Sequence, residues 1–456
     1  MRLRRVSSGI LASLAVPALA MAASRACCAQ PMQTVANASD RAATCAAFVA
    51  DEAHARLRAE ALALVRSGRP EAAVDLLACS VDAGWTDLLD VDLQDLQREP
   101  DLAVLRAQPG WATLRARAAR KDKANASLAM RSLKQTLRLA RRDAYNSGKV
   151  DWAQVKHEAH RIAEADPRYG PHRAIRYVVS SLGDMHSFYK PPAGVDASAL
   201  WAPQSGGARD PKAMEAIREL TTRPIARSLV SPGGVPIVQV NGWAGRDYAD
   251  NIARDTLSLA AGRVRAALND ALAAPGCGLI VDLTGDTGGN MWPMLSGLLP
   301  LLSVGPVGYF KAKAGGLSVI ERRDDGLFYA GVPAIAGVDA LPMPVNQPRR
   351  IAVLIGGFTA SSGEMTALAF RGQANTRFFG QTSAGYTSVN MTYGLRNGGT
   401  LGLATSTALD RNRQEYGGDI ARSSGNPAGR IVPDAVTAAP MDEAERWIRD
   451  ACAAGE

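Results

Sequence analysis

The run Gly278-Leu279-Ile280-Val281-Asp282-Leu283-Thr284-Gly285-Asp286-Thr287-Gly288-Gly289-Asn290 decides the fold class. It opens on apolar, branched residues without polar alternation, as a strand buried on both faces requires. It closes on adjacent glycines, which let the backbone pass close to a ligand and present bare N–H groups. Two more runs of the same kind lie either side of it in the chain, Pro236-Ile237-Val238-Gln239-Val240 and Ile351-Ala352-Val353-Leu354-Ile355. Helical patterns occupy residues 247–273, 291–302 and 363–372. Strands alternating with helices make residues 235–440 an α/β domain.

The last of these strands runs into Gly356-Gly357-Phe358-Thr359-Ala360-Ser361-Ser362-Gly363-Glu364, which places a serine at a helix N-terminus. Partial positive charge there favours a serine alkoxide and a tetrahedral oxyanion. The same four residues, Ser-Ser-Gly-Glu, also read as a plain helix cap with a glutamate in the first turn. The GxSxG elbow is absent, because Thr359 stands two residues before Ser361. A serine nucleophile needs a base. No lysine follows Lys313 and no histidine follows His186, so a lysine or histidine base must reach Ser361 from upstream. His54, His157, His160 and His172 sit in helical, polar surroundings and read as surface residues. His186 alone follows an aspartate in a turn, Gly183-Asp184-Met185-His186-Ser187.

Upstream of the α/β domain the pattern is helical. In residues 40–122, Leu57, Ala61, Leu62, Leu64 and Val65 recur at helical spacing, Gly68-Arg69-Pro70 breaks the run, and Val74 and Leu77 resume it. These are helical hairpins of tetratricopeptide-like character, with too few units for a solenoid. A charged joint at 120–123 leads to a second helical stretch over 126–190, and residues 191–234, rich in Gly, Pro and Ser, read as loop.

With 456 residues, two or more packing units are expected. The chain is 47% hydrophobic and 21% charged, which fits a globular protein and excludes a disordered or fibrous one. The formal net charge is +8, but Arg2, Arg4 and Arg5 supply part of it and no long basic run follows, so nucleic acid is not the expected partner. Residues 1–26 combine arginines, an apolar stretch and small residues in the manner of a secretory signal, which predicts export. No later segment is long and apolar enough to span a bilayer. Six cysteines do not make a disulfide framework. Cys45 and Cys79 are candidates for a bridge, whereas Cys277 and Cys452 read as small buried apolar residues. Metal spacing is missing as well. His157 and His160 are one residue short of the HExxH step, so neither metal nor cofactor is expected.

Five stretches in this order resemble the tail-specific, or C-terminal processing, serine peptidase family: Leu182-Gly183-Asp184-Met185-His186-Ser187, the Asp-Leu-x-Gly-x-Thr-Gly-Gly run at 282–289, Thr359-Ala360-Ser361-Ser362-Gly363-Glu364, Phe379-Gly380-Gln381-Thr382-Ser383-Ala384-Gly385 and Ile431-Val432-Pro433-Asp434. The resemblance covers residues 126–434. It implies a crotonase-like ββα core in which Ser361 attacks a peptide carbonyl, with an oxyanion hole made by the N–H of Ser362 and that of Gly288 or Gly289. The processing branch takes its base from a downstream lysine, but Tyr386 stands at that position here. The chain looks instead like the tricorn-core branch, whose base is an upstream histidine, and His186 stands there. Asp184, Glu415 and Asp419 are the candidates for orienting its ring.

Two departures stand out. The family's Asp-Leu-Arg-Gly-Asn is here Asp282-Leu283-Thr284-Gly285-Asp286, an arginine lost and an amide exchanged for an acid beside the oxyanion loop. The segment 189–236 is too short for the inserted PDZ domain of many processing members. The expected activity is hydrolysis of peptide or protein substrates outside the cytoplasm. The competing expectation is a catalytically silent relative that uses the same fold to hold peptides or apolar ligands.

Overall fold

The structure is a computed structural model that describes residues 54–83, 102–192, 195, 200, 219–220, 222–243, 254–335, 341–417 and 429–453. The expected signal at 1–26, Cys45 and Asp419 lie outside the described residues. Among the described residues, no helix is long and apolar enough to cross a membrane.

The N-terminal part is helical: α1 (His54–Arg66), α2 (Pro70–Ala83), the short α3 (Leu102–Arg106) and α4 (Trp111–Asp143). Gly68, with φ +76°, makes the turn that α1 and α2 need to pack as a hairpin. Leu62, Val65, Leu77, Leu105 and Trp111 form its core. The charged stretch at 120–123 is not a joint, because α4 runs through it without a break for 33 residues. Alanine, arginine and lysine are all good helix formers, and no glycine or proline interrupts them. One half of α4 therefore belongs to the hairpin core through Leu114 and Ala118. The other half packs through Leu133, Leu139 and Ala140 into a second core.

That second core gathers α5 (Trp152–Ala165), capped by the Asp151 side chain, and α6 (Gly170–Ser180). It also takes in Leu395, Leu401 and Leu403, which come from the hairpin of strands Ser388–Gly394 and Thr400–Leu409. Polar contacts tie the same surfaces: Tyr393 donates to Asp143 at 2.9 Å, and Gln135 Nε2 donates to the Gly394 carbonyl at 3.0 Å. The exit of α6 is thereby anchored on a sheet. His172, expected at the surface, is buried in α6, where its Nδ1 meets the Tyr189 hydroxyl at 2.6 Å; with that partner the ring is satisfied inside.

The strands are β1 (Phe188–Lys190), β2 (Ala226–Val230), β3 (Pro236–Val240), β4 (Gly278–Asp282), β5 (Gly305–Ala312), β6 (Leu317–Arg323), β7 (Gly326–Tyr329), β8 (Val332–Pro333), β9 (Arg350–Ile355), β10 (Thr376–Gly380), β11 (Ser388–Gly394), β12 (Thr400–Leu409), β13 (Glu415–Tyr416) and β14 (Ala435–Val436). They form two sheets. One has the order β14-β10-β9-β4-β3-β2 and is parallel except for β2. The other is antiparallel, with the order β1-β12-β5-β6-β7-β8 and with β11 and β13 also on β12. Strand β2 lies inside the stretch expected to be loop. Its alternation is weak because it is an edge strand, and its register comes from the turn at Ser231–Gly234, closed by Gly234 N–H donating to the Ser231 carbonyl at 3.0 Å.

The parallel sheet is covered on both faces, as its unbroken apolar runs require. Leu279, Val281, Ile351, Val353 and Ile355 face α7 (Arg254–Ala271), α8 (Met291–Gly297) and α9 (Ser362–Leu368), which fill the space toward the antiparallel sheet. Ile280, Ala352 and Leu354 face α10 (Pro440–Ala453) through Ala444 and Ile448. Cys277 and Cys452, expected as small apolar residues, are joined by a disulfide. They meet because β4 begins directly under α10, where a Cβ on Gly278 would lie 2.6 Å from Ile448. Cys79 is also disulfide-bonded. The Cys277–Cys452 bridge closes a loop of 175 residues. Its removal in Cys452→Ser is expected to cost about 2–4 kcal/mol, read as a lower Tm. An unchanged Tm would show that packing alone holds α10.

Candidate active site

Strands β4 and β9 are parallel neighbours, so the loops that leave their C-terminal ends lie side by side. Hydrogen bonds lace these loops together. Ala360 N–H donates to the Asp286 carbonyl at 2.9 Å, Leu283 N–H to the Leu354 carbonyl at 3.0 Å, and the Thr359 hydroxyl to the Leu283 carbonyl at 2.8 Å. Asp282 is used up inside the first loop and its neighbour strand: it accepts from Thr284 N–H and Oγ1, and from Gln239 Nε2 at 2.6 Å.

Ser361 sits on the sharp bend between β9 and α9 with φ +52°, a conformation costly for a residue with a side chain. Glu364 holds it there. This buried carboxyl accepts from Ser361 N–H at 2.9 Å, Tyr386 N–H at 2.7 Å, Gly385 N–H at 2.8 Å and the Ser383 hydroxyl at 2.5 Å. Burial pushes Glu364 up to about 7 against those four donors, which pull it down. Both halves of the helix-cap pattern are formed, and the Ser361 hydroxyl also reaches another partner.

That partner is His186. Its Nε2 lies 2.9 Å from Ser361 Oγ, across 175 residues of chain. Its Nδ1 lies 2.7 Å from Ser388 Oγ at the start of β11. Two positive-φ residues, Gly183 (+65°) and Met185 (+58°), bend the exit of α6 so that the ring reaches the sheet. Asp184 spends its carboxylate on this turn, accepting from His186 N–H, Ser187 N–H and the Ser187 hydroxyl. Asn390 Nδ2 donates to the His186 carbonyl at 3.1 Å, and Tyr386 stands edge-on to the ring at 5.5 Å. Glu415 is engaged elsewhere: it pairs with Lys311 at 2.7 Å and accepts from Thr407 Oγ1. The group on Nδ1 is thus the Ser388 hydroxyl, which the sequence reading did not single out.

Gly288 and Gly289, at φ +101° and +116°, run directly past Ser361, and a Cβ on Gly288 would lie 2.8 Å from both Ala360 O and Ser361 Cβ. Their amides are not equivalent. Gly288 N–H donates to Asp286 Oδ1 at 3.0 Å. The N–H groups of Gly289 and Ser362 have no acceptor among the described residues, and the Ser362 hydroxyl ties the two loops by donating to the Gly289 carbonyl at 2.8 Å. Among the described residues, no cluster of three or more His, Cys, Asp or Glu side chains is placed to hold a metal ion.

Residues 238–422 match Peptidase family S41. The nisin-resistance protein of Lactococcus lactis subsp. lactis is 36% identical over 172 residues, which are 38% of this chain and 50% of that protein, so the chain matches half the length of this relative. The structure of a lipoprotein from Streptococcus agalactiae superposes with a TM-score of 0.53 at 23% identity, covering 71% of this chain and 96% of that one, and shares its fold. The photosystem II D1 C-terminal processing protease superposes with a TM-score of 0.41 at 13% identity, covering 70% of this chain and 97% of that one.

Proposed function

We propose that this chain, which carries a peptidase family S41 domain, hydrolyses peptide bonds with Ser361 as nucleophile and His186 as general base. The observation that carries this reading is the row of hydrogen bonds Ser388–His186–Ser361, assembled from three distant parts of the chain. His186 Nδ1–H donates to Ser388 Oγ, which leaves the Nε2 lone pair facing the Ser361 hydroxyl. As Ser361 Oγ bonds to the scissile carbonyl carbon, its proton passes to Nε2. The carbonyl oxygen becomes an oxyanion held by the N–H of Gly289 and by that of Ser362 at the start of α9. The imidazolium then returns the proton to the leaving amine, the C–N bond breaks, and an acyl-Ser361 remains. Water, deprotonated by His186, hydrolyses it. Ser388 takes the place given to a carboxylate in the more familiar triads; a hydroxyl orients the ring without adding charge.

Export fits the secretory pattern at 1–26, and the Cys277–Cys452 bridge is of a kind that persists in oxidising compartments. The name of the half-matching relative makes nisin the first peptide to try as substrate. A fluorophosphonate probe tests the core of the proposal. Wild type is expected to be labelled at Ser361 and to cleave a denatured protein mixture, whereas Ser361→Ala does neither. Absence of label on a folded wild type, or equal labelling of Ser361→Ala, would overturn it in favour of a silent binding protein.

A further inference from the structure

The carboxyl of Asp286 belongs to no step above, yet it lies at the junction of the two loops that make the site. Its residue is fully buried, at 0% exposure. Oδ1 accepts from Gly288 N–H at 3.0 Å, and its own carbonyl accepts from Ala360 N–H, one residue before Ser361. The carboxyl also packs against the first turn of α9, since a Cβ on Gly363 would lie 2.8 Å from its Cγ. Oδ2 is buried with no hydrogen-bond partner among the described residues. An ionised carboxylate offers acceptors at both oxygens, so an orphaned buried oxygen is a costly place for charge. A neutral acid keeps Oδ1 as acceptor for Gly288 N–H and leaves an unpaired O–H at Oδ2, a smaller cost than an unpaired buried charge.

We propose that Asp286 is a positioning residue that works as a neutral carboxylic acid, clamping the Gly288–Gly289 turn against the Ser361 loop so that the amides of Gly289 and Ser362 converge on one point. This inference rests on the peptidase reading. In protonated form the side chain is a near-isostere of asparagine: a carbonyl oxygen for Gly288 N–H, and a second polar atom that carries no charge. Ionised, it would place a buried anion beside the spot where the oxyanion develops, which opposes the reaction. Burial raises the group to about 8, opposed only by the Gly288 N–H. The ionisable groups on the surrounding elements are Asp282 at the end of β4, Glu364 on α9, His186 and Tyr386 across the site, and Arg223 beside Gly285. None of them forms a hydrogen bond or ion pair with Asp286, so none holds the anion in place.

The test compares wild type with Asp286→Asn and Asp286→Ala in kcat, KM and rate of fluorophosphonate labelling from pH 5 to 10. The asparagine variant is expected to match wild type near neutrality and to keep its rate where wild type declines above about pH 8. The alanine variant, which frees Gly288 N–H, is expected to lose roughly tenfold or more in kcat at every pH with little change in KM. A second readout does not depend on activity. An acid whose pKa is raised on folding keeps its proton in the native state while the unfolded chain has lost it. Wild type should therefore lose Tm relative to Asp286→Asn as pH rises from about 4 to about 8. Parallel pH profiles for wild type and Asp286→Asn, or a Tm difference that does not move with pH, would overturn the assignment while leaving the peptidase intact. An inert, unlabelled wild type would instead bring down the peptidase reading, and the positioning role with it.

Discussion

His186→Ala is expected to lower turnover by about 10²- to 10⁴-fold with little loss of Tm. The ring is only half-buried, and the two groups it touches through its nitrogens are hydroxyls. Once the imidazole is gone, water enters the gap and satisfies Ser361 and Ser388, so no buried polar group is stranded. In the proposed mechanism, what disappears is the lone pair that accepts the serine proton. Ser361 alone is far too weak an acid to attack at neutral pH, and the rate that survives comes from the oxyanion amides and substrate binding. Ser388→Ala should cost less, because it loosens the tautomer and orientation of a base that is still present. The order of rates wild type, Ser388→Ala, His186→Ala, measured with equal Tm, supports the row of three. A near-normal rate for His186→Ala at neutral pH would place the base elsewhere.

Much of this site was legible because the chemistry restricts residue choice. With no lysine after Lys313 and no histidine after His186, a lysine or histidine base for the proposed nucleophile Ser361 has to come from upstream, where His186 alone of the histidines follows an aspartate in a turn. The buried strands were equally plain, since β4 and β9 feed alternate side chains into two apolar layers and so carry no polar face. Ser388 left no such mark. A serine at the head of a strand is ordinary, and only the register of β11 on β12, with the helices packed behind that hairpin, brings its hydroxyl to the ring. The same limit hid the Cys277–Cys452 bridge, which depends on where α10 crosses the sheet. The charged stretch at 120–123 lies within a continuous helix, because arginine and lysine are good helix formers and charge alone does not end one. In Asp286, a departure from the family pattern visible in the sequence turned out to sit in full burial.

Glu364→Ala is expected to be the most damaging change near the site that touches no reacting atom. Its two oxygens accept from four donors, and truncation strands Ser361 N–H, Gly385 N–H, Tyr386 N–H and the Ser383 hydroxyl in a buried space. Each stranded donor costs about 1–3 kcal/mol, and shared relaxation keeps the total below the sum. The loss falls on a bend that already stores strain, since Ser361 has a positive φ and its N–H is held by this carboxyl. Stability and activity should therefore drop together. Glutamine, often a mild replacement, should not rescue. Each oxygen of Glu364 faces at least one backbone N–H, so even where the Ser383 hydroxyl turns to accept, the amide nitrogen points a hydrogen at a backbone donor. The carboxyl also leaves a pH signature. Burial raises it to about 7, and the proton it then holds fits on the oxygen facing Ser383, whose hydroxyl can turn to accept it, so its contribution falls as pH climbs from about 4.5 to about 7. Thermal melts of wild type and Glu364→Gln across that window, beside phosphonylation rates at Ser361, decide the matter. A glutamine variant with wild-type Tm and wild-type labelling would show that the four contacts are incidental, and that Ser361 is held by the sheet and α9 alone.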